Sequence, residues 1–292
     1  MKIVVYGNEY QHRYAEPLGQ LLSLLAEEGA DVAVDQGFCE HLRSMGVSLA
    51  ASGTVKQGAA AEADLALSVG GDGTFLRTAE KVGRTGIPIL GVNTGHLGYL
   101  ADADINDPAR VAKLIVTRSY KVEERTLLQV ASNCPGVTLD YPFALNEVAI
   151  LRQDTALMIT MHTWVNGHEL TTYKGDGLII STPTGSTAYN LSVGGPILEP
   201  TSQNIVLSPV SVHSLTMRPL VLRDDSVVSV TTTSRVQRYR ISLDGRPFTL
   251  SSGSTITVQK APYGVLVAQW PGHNFADTLR SKLMWGIDRR ET

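Results

Sequence analysis

At 292 residues, with 43% apolar and 18% charged side chains, the chain has material for two domains, or one large one, around a full hydrophobic core. A formal net charge of −3 supplies no basic field for nucleic acid, so a polyanionic substrate needs local cations, most simply a metal ion. No run of about 18 apolar residues is present, and the apolar start Met1–Gly7 is too short for a signal peptide, so neither a membrane span nor secretion is expected.

Lys2–Tyr6 reads as a buried strand ending at Gly7. Leu18, Leu21, Leu22 and Leu25 then follow i, i+3, i+4, i+7 spacing, the apolar face of a helix, and Gly29 stands where a helix C-terminal glycine belongs. Asp31–Asp35 reads as a second strand and Cys39–Met45 as a short helix. Cys39 and Cys134 are too few for a disulfide scaffold and form no metal-ligand cluster; both are expected to be reduced, as in a cytoplasmic protein.

The stretch that organises the chain is Leu65-Ala66-Leu67-Ser68-Val69-Gly70-Gly71-Asp72-Gly73-Thr74-Phe75-Leu76. An apolar strand stops at two glycines, a carboxylate and a third glycine, and a helix over Thr74–Lys81 follows. Asp72 therefore stands at the carboxyl end of a buried strand, where open α/β sheets hold their ligands. Gly70, Gly71 and Gly73 bring no Cβ atoms, and the helix start offers unpaired N–H groups to an anion. The alternative is a purely structural turn, since Asp-Gly is a common turn dipeptide. Neither a P-loop lysine motif nor G-x-G-x-x-G is present.

Ile87–Val92 adds another strand, followed by a second glycine-bearing loop, Asn93-Thr94-Gly95-His96-Leu97-Gly98-Tyr99. Alternating strands and helices imply a doubly wound parallel sheet, with both loops on one edge. His96 reads as a loop histidine with a satisfied hydrogen bond. Asp107-Pro108 supplies an N-cap and first helical position, Val111, Leu114 and Ile115 an apolar side, and this helix is expected to bridge to a second domain.

From Tyr120 onward β-forming runs dominate: Leu127–Ala131, Phe143–Leu151, Met158–Val165, Val227–Thr233, Tyr239–Leu243, Thr255–Val258 and Val265–Trp270. Asn166-Gly167 is a hairpin signal, and Asp244-Gly245-Arg246-Pro247 a turn. The expected organisation is an α/β domain over 1–119, a β-rich nucleotide-binding domain over 120–273, and a C-terminal helix over 274–292 packing back on the first domain.

A second informative stretch runs from Gly177 through Thr182-Pro183-Thr184-Gly185-Ser186-Thr187-Ala188-Tyr189-Asn190-Leu191-Ser192. A strand enters a loop dense in hydroxyls, then a short helix expected to be capped by Ser186 or Thr187. Such hydroxyls suit ribose and phosphate, and Tyr189 offers a face to a base; the alternative is a polar surface turn. Arg77 lies one turn beyond Asp72 and is either a phosphate partner or a solvated helix charge.

Gly70-Gly71-Asp72-Gly73-Thr74, Asn146-Glu147 and Thr182–Tyr189, in this order over nearly the whole chain, resemble the motifs of the NAD kinases. Gly-Gly-Asp-Gly alone also resembles the diacylglycerol and sphingosine lipid kinases and the 6-phosphofructokinases. The resemblance implies ATP- and divalent-metal-dependent phosphorylation (Mg²⁺ or another divalent ion) of the adenosine ribose 2′-hydroxyl of NAD, and a homodimer or homotetramer. It implies that Asp72 is the general base or orients the hydroxyl, with Gly73 allowing close approach and Gly70, Gly71 and Thr74 completing the phosphate-donor loop. Asn146 and Glu147 then grip a ribose, Lys174 and Asp176 contact NAD, and Thr187, Ala188, Tyr189, Asn190, Leu191 and Ser192 bind adenosine. Arg in place of Lys174 occurs in relatives, so a bidentate contact there is not implied. Asp244, Arg246 and Ser211 fall where relatives touch ligand, Ser211 across a subunit boundary, whereas His213 and Arg218 read as structural. The rivals are a lipid kinase, which has no use for Asn146-Glu147 or the hydroxyl loop, and a non-catalytic nucleotide-binding sensor.

Overall fold

The computed structural model describes residues 1–8, 14–47, 53–55, 62–95, 98–153, 157–272 and 274–286. The chain divides into two units, Met1–Glu124 with Val265–Thr292, and Arg125–Gly264.

In the first unit the order is β1 (Lys2–Gly7), α1 (Ala15–Glu27), β2 (Asp31–Asp35), α2 (Gln36–Ser44), β3 (Gly53–Val55), β4 (Leu65–Val69), α3 (Asp72–Val82), β5 (Ile89–Asn93), β6 (Ala103–Asp104), α4 (Pro108–Val116) and β7 (Lys121–Arg125). The four leucines of α1 are all buried, and Gly29 follows the helix at φ +79°. Asp107 caps α4, its side chain accepting from Arg110 N at 3.2 Å. The sheet runs β3-β2-β1-β4-β5, and β1 to β6 pair in parallel wherever they meet. Leu65, Leu67 and Val69 join a core with α1, α2 and α4, so the apolar side of α4 belongs to the core of this unit. The intervening Ala66 and Ser68 point to the opposite face, on which α3 buries Phe75, Ala79 and Val82 outside that core.

The second unit contains β8 (Leu128–Ser132), β9 (Phe143–Ala144), β10 (Glu147–Arg152), β11 (Ile159–Val165), β12 (His168–Gly175), β13 (Gly177–Ser181), α5 (Tyr189–Ser192), β14 (Asn204–Val210), β15 (Leu220–Arg223), β16 (Val228–Thr233), β17 (Arg238–Leu243), β18 (Arg246–Ser251) and β19 (Thr255–Lys260). They form two six-stranded sheets, β15-β14-β13-β10-β17-β18 and β12-β11-β16-β19-β8-β9, whose inner faces share one apolar core. Asn166 and Gly167 both take positive φ in the β11–β12 turn, as the Asn-Gly signal predicts.

The Val265–Trp270 run departs from expectation. Its strand, β20 (Val265–Gln269), pairs in parallel with β5 and lies next to β7, so the chain re-enters the first sheet at Val265 and the β-rich unit ends at Gly264 rather than at 273. α6 (Phe275–Leu283) follows in the same unit, with Asn274 as its N-cap and Phe275, Leu279 and Leu283 half-buried.

Candidate active site

In the first unit, Gly70 N donates to Val92 O at 2.9 Å, locking the Gly-Gly-Asp-Gly turn to the end of the neighbouring strand. Gly70 has φ +151°, and a Cβ there would overlap Thr74 Oγ1, so the turn needs glycine. Asp72 is the first residue of α3 rather than part of the turn before it, and a carboxylate there is favoured by the helix dipole. Its Oδ2 accepts from Tyr99 N and its Oδ1 from Leu100 N, both at 2.9 Å. The two glycine-bearing loops therefore meet at one sheet edge. Gly98 makes this possible, because a Cβ there would stand 2.5 Å from Asp72 Oδ1. Each carboxylate oxygen keeps a lone pair beyond the one engaged by an amide, so Asp72 is held in place yet can accept from a hydroxyl. The space beside Gly73 is open: apart from its chain neighbours and the backbone of its own helix, no described atom lies within 4 Å of an ideal Cβ. Thr74 is buried and accepts from Asn8 Nδ2 at 2.9 Å, and the exposed Arg77 reaches the same hydroxyl at 3.4 Å. His96 lies outside the described residues.

In the second unit, the hydroxyl loop is clasped onto Asn146-Glu147. Thr182 N donates to Asn146 O at 2.9 Å, Thr182 Oγ1 donates to Leu145 O at 2.5 Å and itself accepts from Gly185 N at 3.0 Å. Gly185 lies so close that a Cβ would overlap the Asn146 carbonyl. Asp244, at φ +48° between β17 and β18, accepts from Leu145 N (2.6 Å), Asn146 N (2.8 Å) and Glu147 N (3.1 Å). Burial pushes its carboxyl above the ordinary range, opposed by those three amides and by Arg246. Glu147 is 9% exposed, and burial, with the charge of Asp244, pushes its carboxyl up to about 7 against the pull of the Tyr189 N–H. Glu147 Oε2 and Thr184 Oγ1 are buried with no hydrogen-bond partner among the described residues. Unmatched buried oxygens are costly in a folded chain, and these two come from Asn146-Glu147 and from the hydroxyl loop, which leads into a half-open aromatic ring. Tyr189, 39% exposed, supplies that ring.

The chain matches the model of the ATP-NAD kinase N-terminal domain over residues 4–120 and that of the ATP-NAD kinase C-terminal domain over residues 145–269. It is 42% identical over 291 residues to a protein named NAD kinase from Bacteroides fragilis, covering 99% of this chain and 100% of that one. The chain belongs to the NAD kinase family. An NAD kinase from Porphyromonas gingivalis is 38% identical over 286 residues, 98% of each chain. Among solved structures, yeast NADH kinase complexed with NADH shares the fold at a TM-score of 0.89 and 24% identity, covering 100% of this chain and 90% of that one. An Archaeoglobus fulgidus NAD kinase in complex with ATP shares it at 0.75 and 24%, covering 96% and 99%.

Not all residues singled out by the NAD kinase motifs gather at Glu147. Lys174, Asp176 and Ser211 form a separate corner: Asp176 N donates to Val210 O at 3.0 Å, Arg152 Nε meets Asp176 Oδ1 at 3.1 Å, and Ser211 follows β14 at φ +47°. In the β10–β13 ladder Glu147 faces Ser181 whereas Leu151 faces Gly177, so this corner is about 13 Å from Glu147 at ~3.3 Å per residue. Asn190 is fully buried and its amide is spent on protein partners: Nδ2 donates to Ser186 O (2.9 Å) and Pro196 O (3.0 Å), and Oδ1 accepts from Ser208 Oγ (2.6 Å). Neither Ser186 nor Thr187 caps α5, because Ser186 Oγ is taken up by Leu198 and Thr187 Oγ1 by Thr184 O. Arg246 donates to Tyr141 O (2.9 Å) and Phe143 O (2.5 Å) and stacks on the Tyr141 ring. The main-chain N–H groups of Tyr99 and Leu100 were not anticipated; the glycines of the Asn93–Tyr99 loop were their signal in the sequence.

Proposed function

We propose that the chain transfers the terminal phosphoryl group of ATP to the 2′-hydroxyl of the adenosine ribose of NAD, giving NADP. Asp72 orients that hydroxyl and takes its proton as the oxygen–phosphorus bond forms and ADP leaves. The N–H groups opening α3 and the open flank of Gly73 receive phosphate oxygens, with Arg77 at the rim. Asn146 and Glu147 bind ribose hydroxyls, and Tyr189, with the backbone of Thr187, Ala188, Asn190, Leu191 and Ser192, receives the adenosine. The observation that carries this assignment is Glu147 Oε2, a buried carboxyl oxygen with no described protein partner, in the segment that the hydroxyl loop clasps.

A divalent metal fits as a passenger of ATP. Among the described residues no group of three or more His, Cys, Asp or Glu side chains is gathered to hold one, and Mg²⁺ is commonly bound through one or two carboxylates together with substrate phosphates. When bound, it neutralises charge on the transferred group. Assembly as a homodimer or homotetramer is part of the proposal. What motivates it is the NAD kinase resemblance, which sets Ser211 where a ligand contact crosses a subunit boundary. Cys39 and Cys134, both buried and unpaired, support a reducing, cytoplasmic setting.

The test is to incubate the purified chain with NAD, ATP and Mg²⁺ and measure NADP with an NADP-specific dehydrogenase. NADP should form, stop on chelation and resume on adding excess Mg²⁺. A folded chain that makes no NADP overturns the proposal.

A further inference from the structure

The Asp244-Gly245-Arg246 turn grips one segment of backbone by both kinds of polar group. Between β9 and β10, Leu145 and Asn146 step out of the ladder, and their N–H groups need acceptors. Asp244 supplies them, receiving Leu145, Asn146 and Glu147 N–H on two oxygens, while its own N–H donates to Glu147 O at 3.2 Å. Two residues on, Arg246 donates to the carbonyls of Tyr141 and Phe143 on the incoming side of the same segment. One hairpin turn therefore fixes donors over 145–147 and acceptors over 141–143. Only an ionised or fully accepting carboxyl can receive three N–H groups on two oxygens; an asparagine offers one oxygen and turns an NH₂ group toward the remaining amide.

We propose that Asp244 is a positioning residue for the dinucleotide, assisted by Arg246. It sets the backbone frame from which Asn146 and Glu147 project and does not itself touch the ligand. This deepens the assignment of Asn146-Glu147 to NAD and rests on it. The consequence is selective: loosening the frame should weaken NAD without affecting ATP or the chemical step.

The experiment is steady-state kinetics of Asp244→Asn, with NAD and ATP varied separately, in protein whose thermal transition shows it to be folded. KM for NAD should rise about ten- to hundredfold, the range for losing a hydrogen bond to a charged group, while kcat and KM for ATP stay within about threefold. In a Glu147→Gln background the same substitution should add much less, because its effect passes through Glu147. An unchanged KM for NAD, an equal rise in both backgrounds, or a loss confined to kcat overturns the proposal. If Asp244→Asn does not fold, Arg246→Gln releases the carbonyl side and is judged by the same outcomes. NADP formation by the unsubstituted chain separates failure of this inference from failure of the proposed activity.

Discussion

Glu147→Gln should make the second unit more stable at alkaline pH while leaving it nearly unchanged at acidic pH. The Glu147 carboxyl titrates at about 7 in the folded chain against an ordinary value of 4.5. Below 4.5 it is protonated in both states and contributes no pH dependence. Between 4.5 and about 7 the unfolded chain releases this proton and the folded chain keeps it, so stability falls as pH rises; above about 7 the penalty is complete and constant. The interval from 4.5 to about 7, at about 1.36 kcal/mol per pH unit, gives a penalty of about 3 kcal/mol. Glutamine retains an oxygen for the Tyr189 N–H and carries no charge to bury, so it resembles the protonated acid. Because Asp244 is coupled to Glu147, the comparison measures the carboxyl pair rather than one residue. The assay is calorimetric unfolding of both chains, without ligand, at pH 5 and pH 8. At about 2–4 °C per kcal/mol, the glutamine chain should melt on the order of 10 °C higher at pH 8 and within about 2 °C at pH 5. Equal differences at the two pH values would refute the burial argument.

Asp72→Asn should lower kcat at least about a hundredfold, the lower end for a lost general base. It should also destabilise the first unit by about 1–3 kcal/mol, since Tyr99 N and Leu100 N address different oxygens of Asp72 and an asparagine turns an NH₂ group toward one of them. Near-normal turnover in the folded variant removes Asp72 from its role. Gly185→Ala should cost about 1–3 kcal/mol, measured by denaturant unfolding, because its methyl group meets the Asn146 carbonyl. KM for NAD should rise with it as Asn146-Glu147 shifts. An alanine chain of unchanged stability would mean that the loop is not clasped as described.

Much of the first unit is legible because its signals are local. The leucines of α1, Gly29 after it and the Asp107-Pro108 start of α4 each encode their own geometry within a few residues. The separate parts of the candidate site are legible for a different reason: glycines beside polar side chains mark close backbone approaches, as at Gly70, Gly98 and Gly185. What could not be read is partnership across long stretches of sequence. Val265–Gln269 is an apolar run with no mark of which sheet it joins. β12 has no strand pattern of its own in the sequence because only Tyr173 and Gly175 of its eight residues are buried, leaving little alternation. The Asn190 amide and the Arg246 guanidinium look like ligand donors in sequence, yet in the fold their partners are carbonyls and a serine hydroxyl set by tertiary packing.

The re-entry of the chain at β20 bears on how the protein is made. The strand that extends the first sheet beyond β5 is synthesised only after all of Arg125–Gly264 has been made. Until then the nascent α/β unit carries an exposed edge, the kind of surface that invites mispairing. Translation that stops before Val265 therefore leaves the first unit without this strand even though every residue of the second has been made, and the amino-terminal half is a poor candidate for expression on its own.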